Sequence, residues 1–120
     1  MSYRDLIAWK KAMELVKQIY DATDSFPQHE LYGLTSQLRR AAVSIPSNIA
    51  EGQAHYTNPE FVRFLRHARG SLAEIETQLL IAESRGYLSK AKAEQLIQST
   101  DELGRVISGL INSMNKGKAQ

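Results

Sequence analysis

Ala93, Leu96, Thr100, Leu103, Ile107, Leu110 and Met114 follow one another at steps of three and four without a break. Such steps keep side chains on one face of a helix, whereas a strand needs steps of two. The same rhythm fills the rest of the chain, and no alternating strand pattern competes with it. Phe61, Phe64, Leu65, Ala68, Leu72, Ile75 and Leu79 share one face of a segment predicted helical over about 59–85. Leu34, Leu38, Ala41, Ile45 and Ile49 line another over about 31–54. The first helix, about 5–23, carries two adjacent stripes: Leu6, Trp9, Met13, Val16 and Tyr20, with Ala8, Ala12, Leu15 and Ile19 beside them. With a last helix over about 89–114, four helices and short connections predict an all-α, antiparallel up-down four-helix bundle in one domain, 1–120.

Punctuation residues sharpen the boundaries. Pro27 ends the first helix, because it disfavours helical backbone at Phe26. Asn58 is an expected N-cap, with Pro59 at the first helical position and Gly86 just past the far end. Asn115–Gln120 is polar and expected to fray. Pro46 lies inside the second helix, where it removes a backbone donor and crowds the preceding turn. A kink near Ala42–Ile45 is predicted, a full break at Ser44 being the alternative. Ser44 is placed to back-bond to the freed carbonyls, and the Asn48 amide to satisfy backbone nearby.

A 120-residue chain holds one core that buries about two-thirds of the unfolded surface, so no staple is needed, and there is no cysteine. The start, Met1-Ser2-Tyr3-Arg4-Asp5, lacks a signal-peptide pattern, and no apolar run approaches the roughly 18 residues of a membrane span. The expectation is a cytoplasmic protein with no membrane partner. Apolar residues exceed what a bundle helix needs. The excess lies on helices one and four, and at Val43, Ala50, Val62, Leu80 and Ile81. This surplus predicts a homo-oligomer, since large apolar patches are uncommon on monomers.

Charge is unevenly spread. Residues 1–35 carry −1, residues 71–120 are balanced, and residues 36–70 carry +3, with five arginines against Glu51 and Glu60. Arg39, Arg40, Arg63, Arg66 and Arg69 are therefore the candidate nucleic-acid-binding residues, because guanidinium groups grip phosphate bidentately. The bland reading is a solvated helix face. A third reading pairs the arginines with acidic residues of neighbouring subunits, Glu74, Glu76 or Glu83. No nucleophile–base pattern, glycine-rich phosphate loop or Glu-x-x-His pair is present. No catalytic residue, cofactor or small-molecule substrate is assigned. Glu51 and His55 stand four apart, a spacing far commoner in surface ion pairs than in metal sites, so no metal is assigned. His67 lies on the arginine face, and Tyr56 beside His55 is a weak stacking candidate.

The run Ser44-Ile45-Pro46-Ser47-Asn48-Ile49-Ala50-Glu51-Gly52 resembles the four-helix bundle proteins encoded within bacterial 23S ribosomal RNA intervening sequences. So do Phe61-x-x-Phe64-Leu65 and Ala68-x-Gly70-Ser71-Leu72-x-Glu74-x-Glu76-Thr77-Gln78-Leu79. Asp5-Leu6-x-x-Trp9-x-x-Ala12 and Gln37-Leu38-Arg39-Arg40-Ala41 match as well, so the resemblance covers Asp5 to about Met114. It implies a homopentamer of four-helix protomers and a nucleic-acid partner, RNA, without implying a defined activity. One departure is the loop Gln53-Ala54-His55-Tyr56, where family members often carry arginine.

Overall fold

A computed structural model describes residues 2–54 and 57–119, with side chains as far as residue 116. Four helices make up the fold: α1 (Ile7–Thr23), α2 (Leu34–Ala54), α3 (Asn58–Ser84) and α4 (Lys90–Ala119). Short 3-10 turns at Tyr3–Asp5 and Gln28–Glu30 precede α1 and α2, and no strand occurs among the described residues. The all-α four-helix bundle expected from the periodicity is what forms, 50 × 22 × 20 Å in extent. The readings for His55 and Tyr56 lie outside the described residues.

Each helix end has a local cause. Ser2 caps the first 3-10 turn by accepting from Arg4 N at 3.2 Å. The Thr23 hydroxyl donates back to Ile19 O at 2.8 Å where α1 stops. Glu30, four residues upstream, caps α2 by accepting from Leu34 N at 3.0 Å, satisfying one orphan amide of the first turn. Thr57 rather than Asn58 caps α3. Its backbone is extended and its hydroxyl accepts from Glu60 N, the first of the two bonds of a capping box. Gly86, at φ +78°, closes α3 through Tyr87 N to Ala82 O and Gly86 N to Glu83 O, the paired bonds of a Schellman motif. Ser89 caps α4 through Lys92 N at 3.1 Å. The backbone of α4 stays helical to Ala119, past the expected fraying point at Asn115.

Pro46 does not break α2, which runs from Leu34 to Ala54 as one helix. Ser44 donates to Ala41 O at 2.6 Å and Asn48 Nδ2 to Ser44 O at 2.7 Å, tying the turns around the proline. Asn48 thus serves the backbone as the sequence suggested, whereas Ser44 reaches Ala41 O and not Ala42 O, the carbonyl whose helical partner Pro46 removes.

Contact order along the chain closes the bundle: α1 lies against α2, α2 against α3, α3 against α4, and α4 more thinly against α1. Gly52 meets Phe64, Ser44 meets Ser71 and Gln37 meets Gln78, so α2 and α3 run in opposite directions. Arg69 with Ser108 and Leu72 with Gly104 show the same for α3 and α4. The predicted core faces of α2 and α3 are buried throughout. In α1 the buried stripe is Ala8, Ala12, Leu15, Ile19 and Ala22, while Met13 and Tyr20 of the larger stripe stay exposed. Small alanines let α1 approach closely and push the bulkier stripe to its flank. Val62 is buried, and Ile97, Leu110 and Met114 pack half-buried against the core, so the apolar surplus of α4 is largely absorbed. Ile7, Met13, Tyr20, Val43, Leu80 and Ile81 remain exposed.

Candidate nucleic-acid interface

The basic face of α3 is set by the way its first turns meet α2. Gly52 is buried, and a Cβ there would lie 2.6 Å from Phe64 Cβ and 3.0 Å from Phe61 Cδ1. The missing side chain lets both phenylalanines press onto α2, which fixes the rotation of α3. Residues opposite that contact then point outward: Arg63, Arg66 and His67 are exposed and line one concavity of about 390 Å³ with Pro59. No carboxylate lines it among the described residues, although Arg63 is itself paired with Glu60. The Arg63 guanidinium lies 4.6 Å from the Phe64 ring centroid and donates to Glu60 Oε2 at 2.9 Å. The His67 ring sits 6.4 Å from that of Phe64. Arg66 forms no hydrogen bond or ion pair with the described residues.

The other arginines point elsewhere. Arg40 is exposed on the rim of a groove of about 360 Å³ between α2 and α3, which also holds Ser44, Ser71 and Glu74. Arg39 is turned into the protomer: Nε donates to Thr23 Oγ1 at 2.8 Å and Nη2 to Asp24 Oδ1 at 2.9 Å. Its guanidinium covers the Tyr20 ring at 4.6 Å. It clamps the end of α1 onto α2. Arg69, one turn on from Arg66, leans towards α4, where Nη1 donates to Ser108 Oγ at 3.4 Å. The five arginines thus occupy four places: Arg63 with Arg66, and Arg39, Arg40 and Arg69 each apart. Arg105, on α4, joins Arg69 in one groove and escaped the sequence reading, because only the α3–α4 register brings the two together.

Two carboxylates titrate below their ordinary range, both away from this face. The amide of Leu34, then the Tyr87 hydroxyl, hold Glu30 low by hydrogen bonding to its charged form. The Lys11 ammonium holds Glu102 low by hydrogen bonding and charge, and that ion pair bridges α1 and α4.

The sequence profile of the family described as 23S rRNA-intervening sequence protein matches residues 4–109. The chain belongs to that family. A crystal structure from Bacteroides thetaiotaomicron VPI-5482, described as a protein with unknown function from the S23 ribosomal protein family, superposes with a TM-score of 0.78. It is 19% identical, and the match covers 88% of this chain and 98% of that one, which establishes a shared fold. No curated protein matches the chain. No helix is long and apolar enough to cross a membrane.

Proposed function

We propose that this family member is a non-enzymatic, cytoplasmic, self-associating helical protein that binds RNA through the outer face of α3. Arg63 and Arg66 supply the main phosphate contacts and His67 lines the same concavity, while Arg40 stands apart on the α2–α3 groove. The observation that carries this reading is the concavity lined by exposed Arg63, Arg66 and His67, in which Arg63 pairs with Glu60 and Arg66 has no ion pair among the described residues. Such contacts track the phosphate backbone, so binding tolerates sequence and weakens with salt. Self-association is supported by the exposed Ile7, Met13 and Tyr20 of α1 and Val43 of α2. The pentamer is implied by the family resemblance alone.

Titration of a labelled structured RNA, followed by anisotropy at low and moderate salt, tests the proposal. The wild type should bind in the micromolar range at low salt, typical of backbone-directed contacts. Arg63→Glu with Arg66→Glu should weaken binding and leave the helical circular dichroism unchanged. No binding by the wild type at low salt overturns the RNA reading. Light scattering that shows a 13.5 kDa species at micromolar concentration overturns self-association.

A further inference from the structure

Of the five arginines in the middle third, only Arg63 and Arg66 share a concavity, and they share it with His67 and Pro59. The three basic side chains stand at i, i+3 and i+4 of one helix, neighbours at about 5–6 Å between Cβ atoms. Phe64 braces two of them from beneath. The Arg63 guanidinium lies 4.6 Å from its ring centroid, and the His67 ring lies 6.4 Å from it. Phe64 is itself pressed onto α2 at Gly52. The ring contact and the bond to Glu60 set the direction of Arg63, so little freedom is lost when an anion meets it.

The basic patch is short. Beyond His67 the outward face of α3 continues through Gly70 and Ala73, exposed and uncharged, to exposed Glu74. On the other side Glu60 stands one turn before Arg63 and pairs with it at 2.9 Å. Arg69 is drawn to Ser108 and Arg39 to Thr23 and Asp24, so neither extends the patch. A strand laid lengthwise along α3 would therefore meet a carboxylate on each side of a single basic turn. The concavity, about 390 Å³, falls within the range of small-ligand sites, about 300–1,000 Å³. Its lining fits one concentrated anion better than a row of spaced ones.

Glu60 bears on which phosphate that anion is. With His67 neutral, the two arginines and Glu60 leave the turn with a single net positive charge. An internal phosphodiester carries one negative charge, so exchanging the Glu60 carboxylate for it on Arg63 gains little. A terminal phosphomonoester carries close to two charges at pH 7 and offers three strong acceptor oxygens. It outcompetes the carboxylate for Arg63 and takes a donor from each of Arg63, Arg66 and His67.

We infer that the concavity on α3 holds the terminal phosphomonoester of an RNA chain, bound by Arg63, Arg66 and His67, with Glu60 disfavouring internal phosphates. The inference rests on the RNA-binding reading above and adds which phosphate enters the concavity. It needs nothing from a neighbouring subunit, so each protomer of an assembly carries one such site.

The test compares one internally labelled RNA in three forms: hydroxyl at both ends, a 5′-phosphate, and a 3′-phosphate. Each is titrated by anisotropy at pH 7 and low salt. A phosphorylated form should bind about tenfold tighter than the hydroxyl form, the size of one added hydrogen bond to a charged group. Arg63→Gln with Arg66→Gln should abolish that preference, and Arg69→Gln should keep it. Glu60→Gln should strengthen the hydroxyl form more than the phosphorylated one and so narrow the preference. Should circular dichroism show the double variant unfolded, Arg66→Gln alone replaces it, since Arg66 holds no bond within the described residues. Adenosine monophosphate should compete only weakly; competition as strong as that of the phosphorylated RNA would assign the site to free nucleotides and overturn the inference. So would equal affinity for the three RNAs, a preference that survives loss of the arginines, or one that Glu60→Gln fails to narrow. Equal affinities leave the RNA reading standing, whereas no binding of any form overturns both.

Discussion

Gly52→Ala should destabilise the protein although alanine is the better helix former. The added Cβ would lie 2.6 Å from Phe64 Cβ and 3.2 Å from Phe64 Cγ. Phe64 Cβ is fixed to its own backbone and cannot rotate away, so α3 must move bodily or Gly52 must withdraw. Overpacking of this kind costs about 1–3 kcal/mol. The helical preference of alanine returns at most about 1 kcal/mol, and less here, three residues from the end of α2. The net loss is about 1–2 kcal/mol. At about 4 °C per kcal/mol for a chain of this length, Tm should drop by about 4–8 °C. Thermal and urea melts followed by circular dichroism measure it, with an unchanged urea m-value confirming that the loss lies in the native state. RNA affinity should fall as well, because Phe64 underlies Arg63 and His67. A Tm equal to or above that of the wild type would refute the claim that Gly52 sets the α2–α3 approach.

Gly70→Ala should act in the opposite sense: a Cβ there meets nothing within 4 Å on an exposed helix face, so stability should rise by up to about 1 kcal/mol in the same melts. Arg39→Ala removes the bonds to Thr23 and Asp24 and the cover over Tyr20. It should cost about 1–2 kcal/mol while leaving RNA affinity within twofold, read by melts and anisotropy in parallel. Glu30 titrates low in the folded state, so its contribution is present above the unfolded carboxylate pKa of about 4.3 and is lost as pH falls through the lower folded value. The Tm difference between wild type and Glu30→Gln should therefore be positive at pH 6 and shrink towards zero near pH 3; a constant difference would contradict the cap.

Much of the fold was legible because one-dimensional spacing decides which residues of a helix can share a face. The stripes Leu34–Ile49 and Phe61–Leu79 turn up in the core for that reason. In α1 the spacing offered two stripes, and only the fit against neighbouring helices selects the alanine-rich one. The caps from Glu30 and Thr57 required local geometry: Glu30 reaches across a 3-10 turn, and Thr57 takes extended backbone where Asn58 already begins the helix. The arginine cluster shows the limit most clearly. Five basic residues from the middle third of the chain separate in space, because the packing of α2 turns Arg39 inward and the contact with Ser108 draws Arg69 towards α4, away from Arg63 and Arg66. Arg69 and Arg105 share the α3–α4 groove although more than thirty residues separate them, and neither segment alone signals the meeting.

The salt dependence of RNA binding tests the account most directly. Plots of log affinity against log salt for the wild type and for Arg63→Glu with Arg66→Glu report how many phosphate contacts each protein makes. Loss of two contacts should flatten the slope by about 1.5–2 and lower affinity at low salt by at least tenfold, with the assembly size unchanged. Equal slopes and affinities would contradict the assignment of RNA binding to the outer face of α3. A variant that loses its assembly would instead place Arg63 and Arg66 in a contact between subunits.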